Sequence, residues 1–100
     1  MNRTEILQQM VSAEPGNSFA RYGLATELKN AGDLEGALRQ FDMLLDRDPN
    51  YSAGYFHGGQ TLEKLGRLDD ARAYYRRGLE ATHDAHARGE MQAALDILGE

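Results

Sequence analysis

Apolar residues recur along this chain at spacings of three and four, the pattern of helices that each bury one face. Ile6, Leu7, Met10 and Val11 mark a first helix over residues 4–13, with Asn2 or Thr4 as cap. Pro15-Gly16-Asn17 ends it, because proline disfavours helical backbone at Glu14 and Gly-Asn suits a turn. Leu24, Leu28 and Ala31, with Ala20 and Ala25 beside them, define a second helix over 18–31 behind Asn17 or Ser18. Gly32 supplies its left-handed stop, and Asp33 caps a third helix from Leu34 to Asp46. The inner set of that helix is Leu34, Ala37, Leu38, Phe41, Leu44 and Leu45, a spacing no strand produces.

A fourth helix, Ser52 to Leu65, is intrinsically poor. Gly54, Gly58 and Gly59 each cost up to ~1 kcal/mol against alanine. Such residues in a helix point to close backbone packing. Lys64-Leu65-Gly66 repeats the stop, and a fifth helix follows from Leu68 to Thr82, with Leu68, Ala71, Tyr75 and Leu79 inside. Asp69 and Asp70 sit in its first turn, favourable for the helix dipole. Met91, Ala94, Leu95 and Leu98 form the stripe of a sixth helix, whose start is expected between Asp84 and Ala87, with Gly89-Glu90 as the alternative.

Residues Pro15–Asp48 laid over Pro49–Thr82 match at a 34-residue shift. Pro15 meets Pro49, Ser18 meets Ser52, Leu28 meets Leu62, Gly32 meets Gly66, Ala37 meets Ala71 and Leu45 meets Leu79. Tyr22 pairs with Phe56, and Phe41 with Tyr75. These are turn and core positions. A period of 34 residues with two helices in each resembles the tetratricopeptide repeat. Tyr55, Gly59, Leu62, Ala71 and Tyr75 fit that family's pattern, as do Leu24, Ala25, Leu28, Ala37, Phe41 and Pro49. The match is close over residues 18–82, and residues 4–15 are similar to the second helix of a preceding unit. The sequence departs from the pattern at Arg21, where an aromatic is usual, at Gly58 for leucine, at Gly78 for alanine and at His83 for proline. A gap in the core is expected at Gly58, and the end of the fifth helix is left unfixed.

The resemblance implies an all-α fold: an α-solenoid of about six antiparallel helices in a right-handed superhelix. It divides the chain into an N-terminal helix (1–15), two repeats (16–49 and 50–83) and a C-terminal capping helix (84–100). Units of this kind cannot bury both faces alone, so they stack and share a core. The cap is expected to turn Arg88, Glu90, Gln92 and Asp96 outward.

In the family the first helix of each unit lines a concave groove that holds a peptide. By register the second helix would offer Phe19, Tyr22, Gly23, Thr26, Lys29 and Asn30, and the fourth Ala53, Phe56, His57, Gln60, Glu63 and Lys64. The expected binding set is Phe19, Tyr22, Thr26, Lys29, Phe56, His57, Gln60 and Lys64, centred on an aromatic patch of Phe19, Tyr22 and Phe56. Exposed contiguous apolar patches mark interaction sites. A homodimer or scaffold contact through the same patch is the alternative. Some members grip a C-terminal carboxylate with Lys, Asn and Arg. Tyr22, Thr26 and His57 hold the corresponding places, so that clamp is not expected.

Composition narrows the chemistry. The net charge of −5 opposes affinity for nucleic acid or an anionic membrane. There is no cysteine, no apolar signal-like N-terminus and no run long enough to span a bilayer, so a cytoplasmic protein is expected. No phosphate loop, His-Glu-x-x-His or cysteine nucleophile points to an enzyme. His83 and His86 lack a third fixed ligand, and Asp46-Arg47-Asp48-Pro49-Asn50 lacks the glycine and glutamate of a calcium loop. No cofactor or metal is expected. Arg72, Arg76 and Arg77 on the fifth helix and Asp42 and Asp46 on the third suggest ion pairing between repeats.

Overall fold

Helix ends in this chain are set by a small number of capping residues and glycines. The computed structural model describes residues 1–99 and contains α1 (Arg3–Ala13), α2 (Ser18–Asn30), α3 (Leu34–Arg47), α4 (Ser52–Lys64), α5 (Leu68–Ala81) and α6 (Ala85–Leu98). Asn2, Asn17, Asp33 and Asp84 each accept a backbone N–H from the first turn that follows, at 2.8–3.2 Å. Such caps stabilise a helix by about 1 kcal/mol each. At the ends of α2 and α4 the same device appears twice. Gly32 and Gly66 take positive φ (90° and 75°), and the next residue's N–H reaches back to Leu28 O or Leu62 O at 2.9 Å. That is the Schellman arrangement, which only glycine enters without steric cost.

Consecutive helices pack on one another, and in addition α2 approaches α4 and α4 approaches α6. Among the described residues no comparable backbone approach joins α1 to α3 or α3 to α5. The stack therefore closes on the side of α2, α4 and α6 and splays on the other, which makes an α-solenoid with an inner and an outer surface. Its extents are 41 × 27 × 19 Å. No helix among the described residues is long and apolar enough to cross a membrane.

The core lies between the inner and outer helices. Phe41, Leu44, Ala25 and Ala37 form one cluster, and Leu45, Tyr55, Leu62, Tyr74, Tyr75, Met91 and Leu95 belong to the other. Burying a side chain such as Phe41 or Leu62 stabilises the fold by roughly 1.5–3 kcal/mol.

Several expectations are corrected. The core has no gap at Gly58, because the Tyr74 ring lies where a side chain would be. Gly59 admits Tyr75 in the same way. Leu68 is 42% exposed rather than internal, and Ala31 is exposed. Ile6 and Met10 are also exposed, so the apolar cover of α1 on α2 comes from half-buried Leu7 and Val11, beside an Arg3–Glu27 ion pair at 2.7 Å. The cap helix turns Arg88, Gln92 and Asp96 outward, but Glu90 is half-buried and faces inward. Without a proline, α5 ends at Thr82, whose hydroxyl lies 2.6 Å from that of Ser52 and whose carbonyl accepts from Arg88. The link between repeats is not an ion pair of Arg72 or Arg77 with Asp42. Tyr74 donates to Asp42, Arg77 stacks over Tyr55 and Tyr74, and Arg72 binds Asp69 and Leu98 O.

Arg21 is the least expected core residue. It is only 3% exposed and takes the place of an aromatic side chain. Its guanidinium donates to Gln40 Oε1 at 2.8 Å and Pro15 O at 3.0 Å, while Nε has no partner.

Candidate functional site

The inner surface is built by residues repeated one or two turns apart. Tyr22, Thr26 and Lys29 follow one another on α2, and Phe56, Gln60 and Glu63 on α4, both at helical spacing. The packing of α2 on α4 brings the two rows together. The Tyr22 ring lies 5.4 Å from Tyr51 and 5.7 Å from His57, centroid to centroid. His57 lies 5.4 Å from Phe56, and Phe56 lies 6.3 Å from Tyr75. A run of rings thus crosses the surface, and Tyr22 also meets the core at Phe41. Such contacts stabilise by about 0.5–1.5 kcal/mol each beyond burial, so the run is rigid as well as apolar.

Two recesses flank it. One, of about 380 Å³, is lined by Phe56, Gln60, Glu63, Tyr75, Glu90, Ala93, Ala94 and Ile97. Its floor is aromatic and its far wall is alanine and isoleucine from α6. The other, of about 420 Å³, is lined by Lys29, Gln60, Glu63 and Lys64. Gln60 and Glu63 belong to both, so the recesses are adjoining parts of one groove.

Polar groups in the groove are mostly engaged. Lys29 Nζ donates to Gln60 Oε1 at 2.8 Å and lies 3.4 Å from His57 Nδ1. Burial, and then the charge of Lys64, lowers the Lys29 pKa. Tyr75 donates to Glu63, and burial followed by that hydrogen bond pushes its phenol up, far from ionising. Tyr22 is raised too, by burial and then by Tyr51 and Glu90.

Burial lowers the His57 pKa, Lys29 lowers it further, and Glu90 and Gln60 oppose them in part. The unfolded chain therefore takes up a proton at this histidine before the folded one does. The neutral ring's contribution is intact above the unfolded value of about 6.5 and is lost as pH falls below it toward the folded value. Urea unfolding at pH 7.5 and 5.5 is expected to show this loss in the wild type and a smaller one in His57→Gln. Equal losses in both would remove His57 as its source.

The structure distributes the expected site residues unevenly. Tyr22, Phe56, His57, Lys29 and Gln60 come together, and Lys64 stands exposed at the rim. Thr26 turns its hydroxyl onto Tyr22 O and Gly23 O of its own helix. Phe19 is 77% exposed and makes no ring contact among the described residues. Gly23 receives Leu7 of α1. Sequence reasoning missed Tyr51, which lies in a turn, and the α6 wall of Glu90, Ala93, Ala94 and Ile97. The alternation of that wall with Met91 and Leu95 was the available signal.

Known proteins share this fold. The tetratricopeptide repeat model matches residues 22–86. A TPR repeat-containing protein of Pseudomonas aeruginosa is 35% identical over 97 residues, covering 94% of this chain and 92% of that protein. The crystal structure of a tetratricopeptide repeat domain protein from Salinibacter ruber is 33% identical, with a TM-score of 0.77 over 82% of this chain and 94% of that one. The Yersinia enterocolitica type III secretion chaperone SycD, solved with a peptide of the translocator YopD, has a TM-score of 0.83 over 95% of this chain and 72% of that one. It is 16% identical, so that likeness is one of fold. On the matched repeat, and on a relative 35% identical along nearly its whole length, this chain belongs to the tetratricopeptide repeat family.

Proposed function

We propose that this chain is a non-catalytic protein-interaction module that holds a segment of a partner protein in the groove of α2, α4 and α6. The observation that carries the reading is the apolar recess between α4 and α6, floored by Phe56 and Tyr75 and continuous with the ring run. Concave, mainly apolar sites with a few placed polar groups are where ligands bind. The fold that it shares with a chaperone solved with a translocator peptide supports a peptide-like occupant. The acidic, cysteine-free composition favours a protein partner in the cytoplasm over nucleic acid or a membrane.

Ala94→Gln sets a long polar side chain in the recess from a position that is itself only half-buried. In affinity capture from native lysate, partners held by the wild type should be lost from Ala94→Gln and kept by Glu80→Gln on the outer helix α5. The same proteins recovered with Ala94→Gln would defeat the groove assignment.

Exposed Ile6, Met10 and Phe19 favour a second reading, self-association. Sedimentation velocity over a range of concentrations decides it, and a strict monomer at high concentration excludes it.

A further inference from the structure

We infer that the groove takes an acidic and apolar segment, with a carboxylate between Lys29 and Lys64 and a neighbouring bulky apolar side chain in the recess between α4 and α6. This rests on the groove reading and adds the ligand's chemistry to it. Two ammonium groups line one recess with Gln60 and Glu63. Lys29 directs its hydrogens to Gln60 and toward His57, and among the described residues it has no carboxylate partner. Lys64, one turn beyond Gln60, has neither an ion pair nor a hydrogen bond among the described residues. Gln60 gives its carbonyl oxygen to Lys29, which leaves its amide hydrogens as donors. Like charges side by side are unfavourable, and an entering anion relieves them.

The acids of the adjoining recess have contacts of their own: Glu63 accepts from Tyr75, and Glu90 lies 3.4 Å from His86 Nε2. An acidic segment meets two lysines that have no carboxylate partner among the described residues, and that unmet pair sets the sign of the ligand despite the chain's own negative charge. The shared walls at Gln60 and Glu63 place the carboxylate and the apolar side chain within one short stretch of the same segment. These lysines are not at the positions of the family's carboxylate clamp, which Tyr22, Thr26 and His57 occupy.

The test is a titration of the nitrogen-15-labelled full chain with short Gly-Ser peptides whose central pair is Glu-Leu, Gln-Leu, Lys-Leu or Glu-Ser, followed by amide shifts. Glu-Leu should bind about five- to tenfold more tightly than Gln-Leu, moving Lys29, Gln60 and Lys64 together with Ala94 and Ile97. Lys64→Gln, at an exposed position, should remove most of that preference and leave Gln-Leu unchanged. Lys29→Gln should do the same. Equal binding of Glu-Leu and Gln-Leu, or tightest binding of Lys-Leu, with shifts at Ala94 and Ile97, would overturn the acidic ligand and leave the groove reading standing. No shift at Ala94 and Ile97 with any leucine peptide at millimolar concentration would overturn both.

Discussion

Gly59→Val is expected to lower the melting temperature by at least about 12 °C, through a loss of about 3 kcal/mol or more. The Tyr75 ring lies against Gly59 where a Cβ would stand, and Tyr75 is fully buried. Its phenol is tied to Glu63 on the same helix as the glycine. The ring therefore cannot retreat without giving up both its burial and its hydrogen bond. A valine adds bulk at a contact that already excludes a methyl group, and overpacking of this kind costs roughly 1–3 kcal/mol even for small additions. A chain of this length has only about 5–15 kcal/mol of stability to lose. Gly89 provides the control. It sits in α6 with nothing within 4 Å of its would-be Cβ. Gly89→Ala should raise stability by up to about 1 kcal/mol, because alanine is the better helix former. Melting curves followed by circular dichroism would show opposite signs for two glycines in neighbouring helices. A Gly59→Val protein that melts with the wild type would mean that Tyr75 is not held against α4.

The contrast shows what was legible in the sequence. Helix positions, stops and caps are local properties of residues such as Asp33, Gly32 and Gly66, and the first four helices have their ends within one residue of the expected ones. The 34-residue echo then orders the helices, because turn and core positions repeat together. The fourth helix's glycines pointed to a close approach of another backbone, and what approaches Gly54, Gly58 and Gly59 instead is side chains: Leu44 and Leu45, Tyr74 and Tyr75. The sequence did not show what packs there. Tyr74 follows the periodic residue Ala71 by three, but so do many exposed residues, and only the crossing of α4 and α5 carries its ring to Gly58. The groove was partly legible for the same reason. Tyr22, Phe56 and Lys29 lie at the expected register. Phe19, one turn earlier on α2, is 77% exposed and apart from the run of rings, and no local rule tells it from Tyr22. The α6 wall is a matter of how far the last helix rotates against α4, which depends on Met91 filling the space beside Gly78.

Replacing Arg21 with methionine is expected to stabilise the fold, by about 1–3 kcal/mol, although it deletes three hydrogen bonds, one of them a weak one to Met43 Sδ. A guanidinium at 3% exposure has lost most of its hydration, and none of its partners is a carboxylate. Burial, and then the nearby charge of Arg47, pulls its pKa down, which marks the charged form as disfavoured. It also stands in the first turns of α2, where the helix dipole opposes a cation. Its Nε has no partner among the described residues, a polar atom whose desolvation is not offset. The groups that methionine would abandon are better placed. Pro15 is exposed and Gln40 is half-buried, so water can take up the carbonyl and the amide. Methionine matches the length of the arginine stem and fills irregular space, so the cavity term is small. Thermal unfolding of Arg21→Met should shift upward by about 4–8 °C per kcal/mol gained. A loss of stability instead would show that the link from Arg21 to Pro15 and Gln40 holds the turn between α1 and α2 in place. Amide hydrogen exchange separates the two outcomes, because in that case protection in α1 would fall while protection in α4 and α5 persisted.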